Sequence, residues 1–420
     1  MKHRFTLLTI LSITICWLTN SCSSNLNPVY DEHFDKEGHI LPDYKDSFAF
    51  EPCVPSTIKF YVEVSGSMNG FFRANRPTHF KTDVWEILSY YSLLAQDITV
   101  LTNNGSRGET LSHKDFQTKM NTGQFISTAS TKVPLMLQSI IENLDTDAGE
   151  VAVLISDMKY SPVGNAAPKV LMTQYSTDIS QTLGEFGQAV CLIGATSNYV
   201  DKTGNDVCER SPYYYLILGS APQVAYMRNG ISTLLDNNHH FFDNIESGFE
   251  YSHPNYEFGN SYRCEQFDEE PTFYNYEEPS EDDTCTINLN VHLENYRWLL
   301  ANEEIFRESF TATALHGSEI RIGDIHVEVQ NINDKVLKRK AMATIELQVL
   351  HMPLESDVIE WTLHLLDTDT RLMDEFLVGA DAEEDVTKSY SVKDFIKGMF
   401  YGGIINRDIP SNYILITKNS

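Results

Sequence analysis

The chain has 420 residues with a hydrophobic fraction of 42%, enough for real buried cores and too long for one small domain, so two folded units are expected. It carries 59 acidic against 31 basic residues, a formal net charge of −28. So acidic a surface repels the phosphates of nucleic acid and anionic lipid headgroups. It is compatible with cation binding, although most of the charge is a solvated exterior.

Residues 1–21 read as an export signal. Lys2, His3 and Arg4 form a basic start, and Phe5 to Leu18 is an apolar run too short to span a bilayer. Thr19-Asn20-Ser21-Cys22 follows. A small residue directly before a cysteine at the end of such a run resembles a bacterial lipobox. The resemblance implies cleavage before Cys22, lipidation of Cys22 and tethering to a membrane leaflet, although Thr19 stands where the lipobox has an apolar residue. Ordinary signal cleavage beside an incidental cysteine is the competing reading. No later stretch reaches about 18 apolar residues, so no transmembrane helix is expected downstream. Residues 22–54 lack periodicity and read as a tether.

From 55 to 236 strand and helix patterns alternate. Thr57 to Val64 is a strand, and Asp83 to Gln96 has helical spacing of apolar residues. Asp97 to Leu101 is a short strand and Lys132 to Leu144 a helix. Val151 to Ile155 is a continuous apolar run of the kind found in a central strand covered on both faces. Lys169 to Phe186 is helical, Ala189 to Ile193 and Tyr213 to Leu218 are strands, and Ala221 to Leu235 is a last helix with Pro222 in its first turn. Such alternation implies an α/β unit with a doubly wound, mostly parallel sheet.

Residues 237–285, rich in Tyr, Phe, Asn, Asp and Glu, read as a long irregular connection. Its aromatics either anchor it to a neighbouring unit or form a glycan- or protein-binding surface. From 286 to 420 the texture is β. Thr286–Leu293, Ile320–Val329 (with Gly323-Asp324 as a bulge or turn), Ala343–Leu350 and Val358–Leu366 alternate, which suggests a sandwich. Ser391–Met399 reads as a short helix and Tyr413–Thr417 as a final strand. Five cysteines follow Cys22: Cys53, Cys191, Cys208, Cys264 and Cys285. Export permits disulfides, and Cys264 and Cys285, which flank the acidic loop, are the candidate pair. Cys191 lies in an apolar run and reads as a buried thiol.

The most informative stretch is Phe60-Tyr61-Val62-Glu63-Val64-Ser65-Gly66-Ser67. Alternate residues of an extended chain point the same way, so Glu63, Ser65 and Ser67 converge at the strand's end. Three oxygen ligands suit a hard divalent cation, Mg²⁺, Mn²⁺ or Ca²⁺. The pattern resembles the metal-ion-dependent adhesion site of von Willebrand factor A domains, Asp-x-Ser-x-Ser, with Glu63 in the aspartate's place. The resemblance implies a threonine from a second loop before a helix, here Thr131 with Thr128 and Ser130 as alternatives. It also implies an aspartate after a buried strand, here Asp157. Its implied role is adhesion or protein interaction, the cation's open position taking a partner's carboxylate. It covers residues 55–236. Glutamate is longer by one carbon–carbon bond, about 1.5 Å, so it either reaches the ion directly or overshoots it. In a degenerate site, Ser65 and Ser67 would only cap the following turn.

Other chemistries have less support. The chain has no hydrolase elbow, no phosphate-binding glycine loop and no Cys-x-x-Cys. His239-His240 and His351 lack metal-binding spacing and read as satisfied polar groups. The acidic runs 367–369 and 381–385 lack EF-hand register and read as solvated turns. Three readings stand: a membrane-anchored envelope lipoprotein that binds a protein partner through a cation, without catalysis; a metal-independent scaffold with a degenerate site; and an envelope hydrolase using Glu63 or Asp157 as acid or base.

Overall fold

The computed structural model describes residues 33–41, 52–101, 107–160, 167–248, 254–275, 278–280, 283–293, 303–333, 338–364, 374–379, 385–402 and 409–418. The signal segment and Cys22 lie outside these residues, as do the acidic runs 367–369 and 381–384. Among the described residues no helix is long and apolar enough to cross a membrane.

The first unit runs β1 (Thr57–Glu63), a 3₁₀ turn (Ser67–Gly70), α1 (His79–Tyr90), β2 (Ala95–Leu101), β3 (Arg107–Leu111), α2 (His113–Thr122), α3 (Val133–Ile141), β4 (Glu150–Ser156), α4 (Pro168–Phe186), β5 (Ala189–Val200), β6 (Asp206–Gly219), α5 (Ala221–Asn237) and β7 (Phe241–Ser247). Its strands form one seven-stranded sheet in the order β3-β2-β1-β4-β6-β5-β7. β1 pairs in parallel with β2 on one side and with β4 on the other. β4 is the apolar run 151–155, buried on both faces.

The sheet is mixed. β3 returns antiparallel on β2, and β6 is antiparallel to both β4 and β5. The doubly wound expectation therefore holds for β2, β1 and β4 but not at β5 and β6. No helix separates those two strands. Residues 201–205 make a tight turn in which Asp201 accepts from the backbone N–H groups of Thr203 and Asn205 (2.8 and 2.9 Å), and Gly204 takes φ +88°. A short turn closes a hairpin, whereas parallel neighbours need a crossover.

Helices cover both faces. Phe60, Val62, Val153 and Ile155 pack with Phe80 and Val84 of α1 and Met227 and Ile231 of α5. On the opposite face Tyr61, Leu154 and Leu216 pack with Leu137 of α3, Tyr175 and Ile179 of α4, and Phe395 and Ile396. The last two belong to a helix that returns from the far end of the chain.

The second half runs β8 (Tyr256–Phe258), β9 (Cys264–Gln266), β10 (Thr272–Asn275), β11 (Cys285–His292), α6 (Glu303–Ser309), β12 (Phe310–Ala314), β13 (Glu319–Asn333), β14 (Lys338–His351), β15 (Ser356–Leu363), β16 (Leu377–Val378), β17 (Ser389–Tyr390), α7 (Val392–Gly402) and β18 (Asn412–Lys418). Two sheets, β12-β15-β18-β10-β9 and β13-β14-β11-β8, share one apolar core. Ile287, Leu289, Ile345 and Leu347 meet Phe273, Ile359, Trp361 and Ile416 there. β11 alternates buried and half-buried along its whole length, and the pairing of β13 with β14 shifts register between Ile322 and Ile325, around Gly323-Asp324.

Two segments depart from the expected boundaries. The stretch 237–285 is not irregular: β7 extends the first sheet, and β8, β9 and β10 join the other two. These last three have only three or four residues each, too few to show alternation. Residues 33–41, expected as tether, fold onto the β-rich unit, where Phe34 and Ile40 pack on Val358 and Leu415. Conversely, α7 completes the α/β unit. It approaches α4 so closely that a Cβ on Gly398 would lie 2.7 Å from the Ser176 carbonyl oxygen.

Candidate functional site

Val62 sits beside Ile155 in the parallel pair of β1 and β4, so the chain leaves both strands at the same sheet edge. Glu63 ends one strand, with Ser65 and Ser67 just after it; Ser156 ends the other, with Asp157 just after it. The segment between α2 and α3 lies over them. Gly66 N–H donates to the Ala129 carbonyl (2.8 Å). The Asn69 amide donates to Ser127 O (2.7 Å) and accepts from Ser127 N–H (2.8 Å). These bonds set Thr131 against Glu63.

Glu63 is held at both oxygens. Thr131 Oγ1 donates to Oε1 and Ser156 Oγ donates to Oε2. Ser156 Oγ in turn accepts from Met158 N–H at 2.7 Å. Ser65 and Ser67 hydroxyls are 3.1 Å apart. Asp157 Oδ1 accepts from Lys159 N–H at 3.2 Å. The Ser67 hydroxyl approaches the Asp157 carboxylate, yet Oδ2 is buried with no donor in hydrogen-bonding geometry. Met158 turns the third loop in the left-handed region, φ +55°, a conformation sparsely used by residues other than glycine.

Glu63 and Ser65 are fully buried, Asp157 is 1% exposed and Thr131 2%. Ser67 is the partly exposed member, and its carbonyl accepts from Tyr199 OH at 3.0 Å. The Tyr199 ring lies over Gly70, where a Cβ would come within 2.3 Å of it.

Burial, then the charge of Asp157, pushes the Glu63 carboxyl up to about 7, against the hydroxyls of Ser156, Thr131 and Ser65. Burial also raises Asp157, opposed first by Lys159. Two carboxylates out of water need a proton or a cation between them. Among the described residues no basic side chain hydrogen-bonds either one. The donor set fits a hard divalent ion: two carboxylates supply its charge, and Thr131 spends its proton on Glu63, which leaves its oxygen lone pairs for an ion. Among the described residues no three His, Cys, Asp or Glu side chains are grouped to hold a metal, so the hydroxyls would have to supply the remaining ligands.

Glu63, Ser65, Ser67, Thr131 and Asp157 thus come together, while Thr128 and Ser130 are exposed. Sequence reasoning missed Ser156 and Asn69. Ser156 was signalled only by its place beside Asp157 at the end of β4. Elsewhere, Asp83 accepts from Tyr213 OH and His240 Nδ1, each at 2.8 Å, so His240 is a satisfied polar group. Cys191 is a buried thiol; Cys264 and Cys285 are also buried and stand as free thiols.

Fold and site together define an α/β protein with a buried, oxygen-lined dicarboxylate centre at the carboxyl edge of its parallel strands. No family model, no curated protein and no solved structure matches the chain.

Proposed function

We propose that this chain is an envelope lipoprotein, anchored through Cys22, whose α/β unit binds a divalent cation through Glu63, Ser65, Ser67, Thr131 and Asp157 and holds a protein partner through it. The proposal takes the α/β unit as similar to a von Willebrand factor A domain and the β-rich unit as a sandwich. One observation carries the cation reading: two buried carboxylates and three hydroxyls, brought from three separate loops, meet, and among the described residues no basic side chain hydrogen-bonds either carboxylate. Mg²⁺, Mn²⁺ or Ca²⁺ would supply that charge, and a partner's carboxylate would complete its coordination. Calorimetric titration of the three ions into wild type and Glu63→Gln tests this. Binding by wild type that weakens sharply in the variant supports it; three flat titrations of wild type overturn it.

A second reading, a metal-independent scaffold, has its own support. Both Glu63 oxygens already take hydroxyl donors within the chain, which satisfy the carboxylate without an ion. Partner capture unaffected by a chelator would favour it. The hydrolase reading rests on the raised Glu63 carboxyl alone, with Glu63 and Asp157 only 0% and 1% exposed.

A further inference from the structure

We propose that Cys264 and Cys285 form an oxidation site, whose product is a disulfide joining the two sheets of the β-rich unit. The two residues come from different sheets: Cys264 opens β9, the edge strand of one, and Cys285 opens β11, an inner strand of the other. Both enter the same apolar core. The backbone brings them together, since Tyr262 and Thr286 exchange two hydrogen bonds of 2.8 and 2.9 Å. Cys264 Sγ lies 3.6 Å from the Thr286 carbonyl. The two thiols themselves are in hydrogen-bonding contact. The bond would therefore staple one sheet to the other across their shared core and not merely pin the acidic loop. This inference does not rest on the cation reading, and its readouts do not involve the cation site.

The order of events follows from the surroundings. β9 has three residues on a sheet edge, and Glu265 and Gln266 are exposed, so local opening reaches Cys264 first. Cys264, the thiol reached first, is therefore the attacking thiolate. It attacks one sulfur of an external disulfide and forms a mixed disulfide, and the other half leaves as a thiolate. Cys285 then gives up its proton and attacks the Cys264 sulfur, expelling the second half. Two thiols of the chain lose two electrons and two protons, and one external disulfide is reduced to two thiols.

The test uses the purified full chain, reduced and then incubated natively with oxidised glutathione. Non-reducing peptide mapping should recover the segments containing Cys264 and Cys285 linked to each other. The melting temperature should rise by about several degrees over the reduced protein, because the bond restricts the unfolded chain. Cys264→Ser and Cys285→Ser should each lose both the link and the shift. If either variant fails to fold, the mapping of wild type alone decides. Recovery of both as free thiols, or linkage of either one to Cys53 or Cys208 instead, would overturn the proposal.

Discussion

Glu63 accepts a hydrogen bond from the hydroxyl of Thr131, 68 residues later in the chain, and through it the first strand of the α/β unit is tied to the loop before α3. The longer glutamate side chain is what makes this contact, together with the one from Ser156 across β4. Its length serves to bridge two neighbouring loops.

Glu63→Gln leaves only Asp157 to balance a divalent ion. Cation affinity should fall about tenfold or more, since ligand charge is a main determinant of affinity in oxygen sites. Glu63→Asp should separate two effects. The shorter carboxylate withdraws by about 1.5 Å from Thr131 and Ser156, so the metal-free variant should melt earlier than wild type. It also matches the aspartate of the resembling family, so Mg²⁺ should bind more tightly. Calorimetry and thermal melts on the same samples read both.

The raised Glu63 carboxyl predicts a pH dependence. Its folded value, about 7, exceeds its ordinary value of 4.5. The folded chain then holds a proton that the unfolded chain has released, and stability from this group is complete below about 4.5 and is lost as pH rises through about 7. The metal-free protein should therefore lose stability between roughly pH 5 and pH 8. A bound cation removes the penalty, so the melting shift on adding Mg²⁺ should be larger at the higher pH. An equal shift at both would contradict the coupling.

Ser156→Ala removes one of the two hydroxyl donors to Glu63 and the acceptor for Met158 N–H. A buried group left without its partner costs about 1–3 kcal/mol, and denaturant unfolding should show a loss of that order. Ser130→Ala, in the same site region but exposed, should be nearly neutral.

Gly70→Ala puts a methyl group into the Tyr199 ring. The ring must move, and its bond to the Ser67 carbonyl breaks. Weaker cation binding is expected, with Ser65, Ser67 and Asp157 all intact. Unchanged affinity would show that Tyr199 does not position the first loop.

Gly398→Ala sets two effects against each other. Alanine favours a helix interior by up to about 1 kcal/mol over glycine. Here, however, the added Cβ meets the Ser176 carbonyl oxygen and Ile179 Cβ, each at 2.7 Å, and overpacking against backbone costs about 1–3 kcal/mol. The clash should win, and the melting temperature of the full chain should fall. A rise would mean that α7 is not seated on α4.

Much of the α/β unit was legible because burial on both faces writes itself as an unbroken apolar run, as in Val151–Ile155. The site was legible in part: the ends of two buried strands mark Glu63 and Asp157, but the strand stops at Glu63 and a 3₁₀ turn begins at Ser67, so the turn, not strand alternation, places Ser65 and Ser67. What stayed hidden depended on pairing between distant segments. Nothing local told β6 to insert beside β4 and displace β5, nor α7 to return across the whole β-rich unit. The start of α1 was missed because its signal is a single residue, Thr78, whose hydroxyl accepts from Lys81 N–H at 3.4 Å. In the second loop, burial and the bond to Glu63 separate Thr131 from Thr128 and Ser130.

The most direct measurement is anomalous diffraction from a crystal of the full chain soaked in Mn²⁺. The cation reading predicts one anomalous peak within coordination distance of Ser65, Ser67 and Asp157 oxygens, at about 2.0–2.6 Å, and its loss in Glu63→Gln. A soaked wild-type crystal with no peak there, and with Glu63 still closed on Thr131 and Ser156, would contradict it and leave the metal-independent scaffold as the better description.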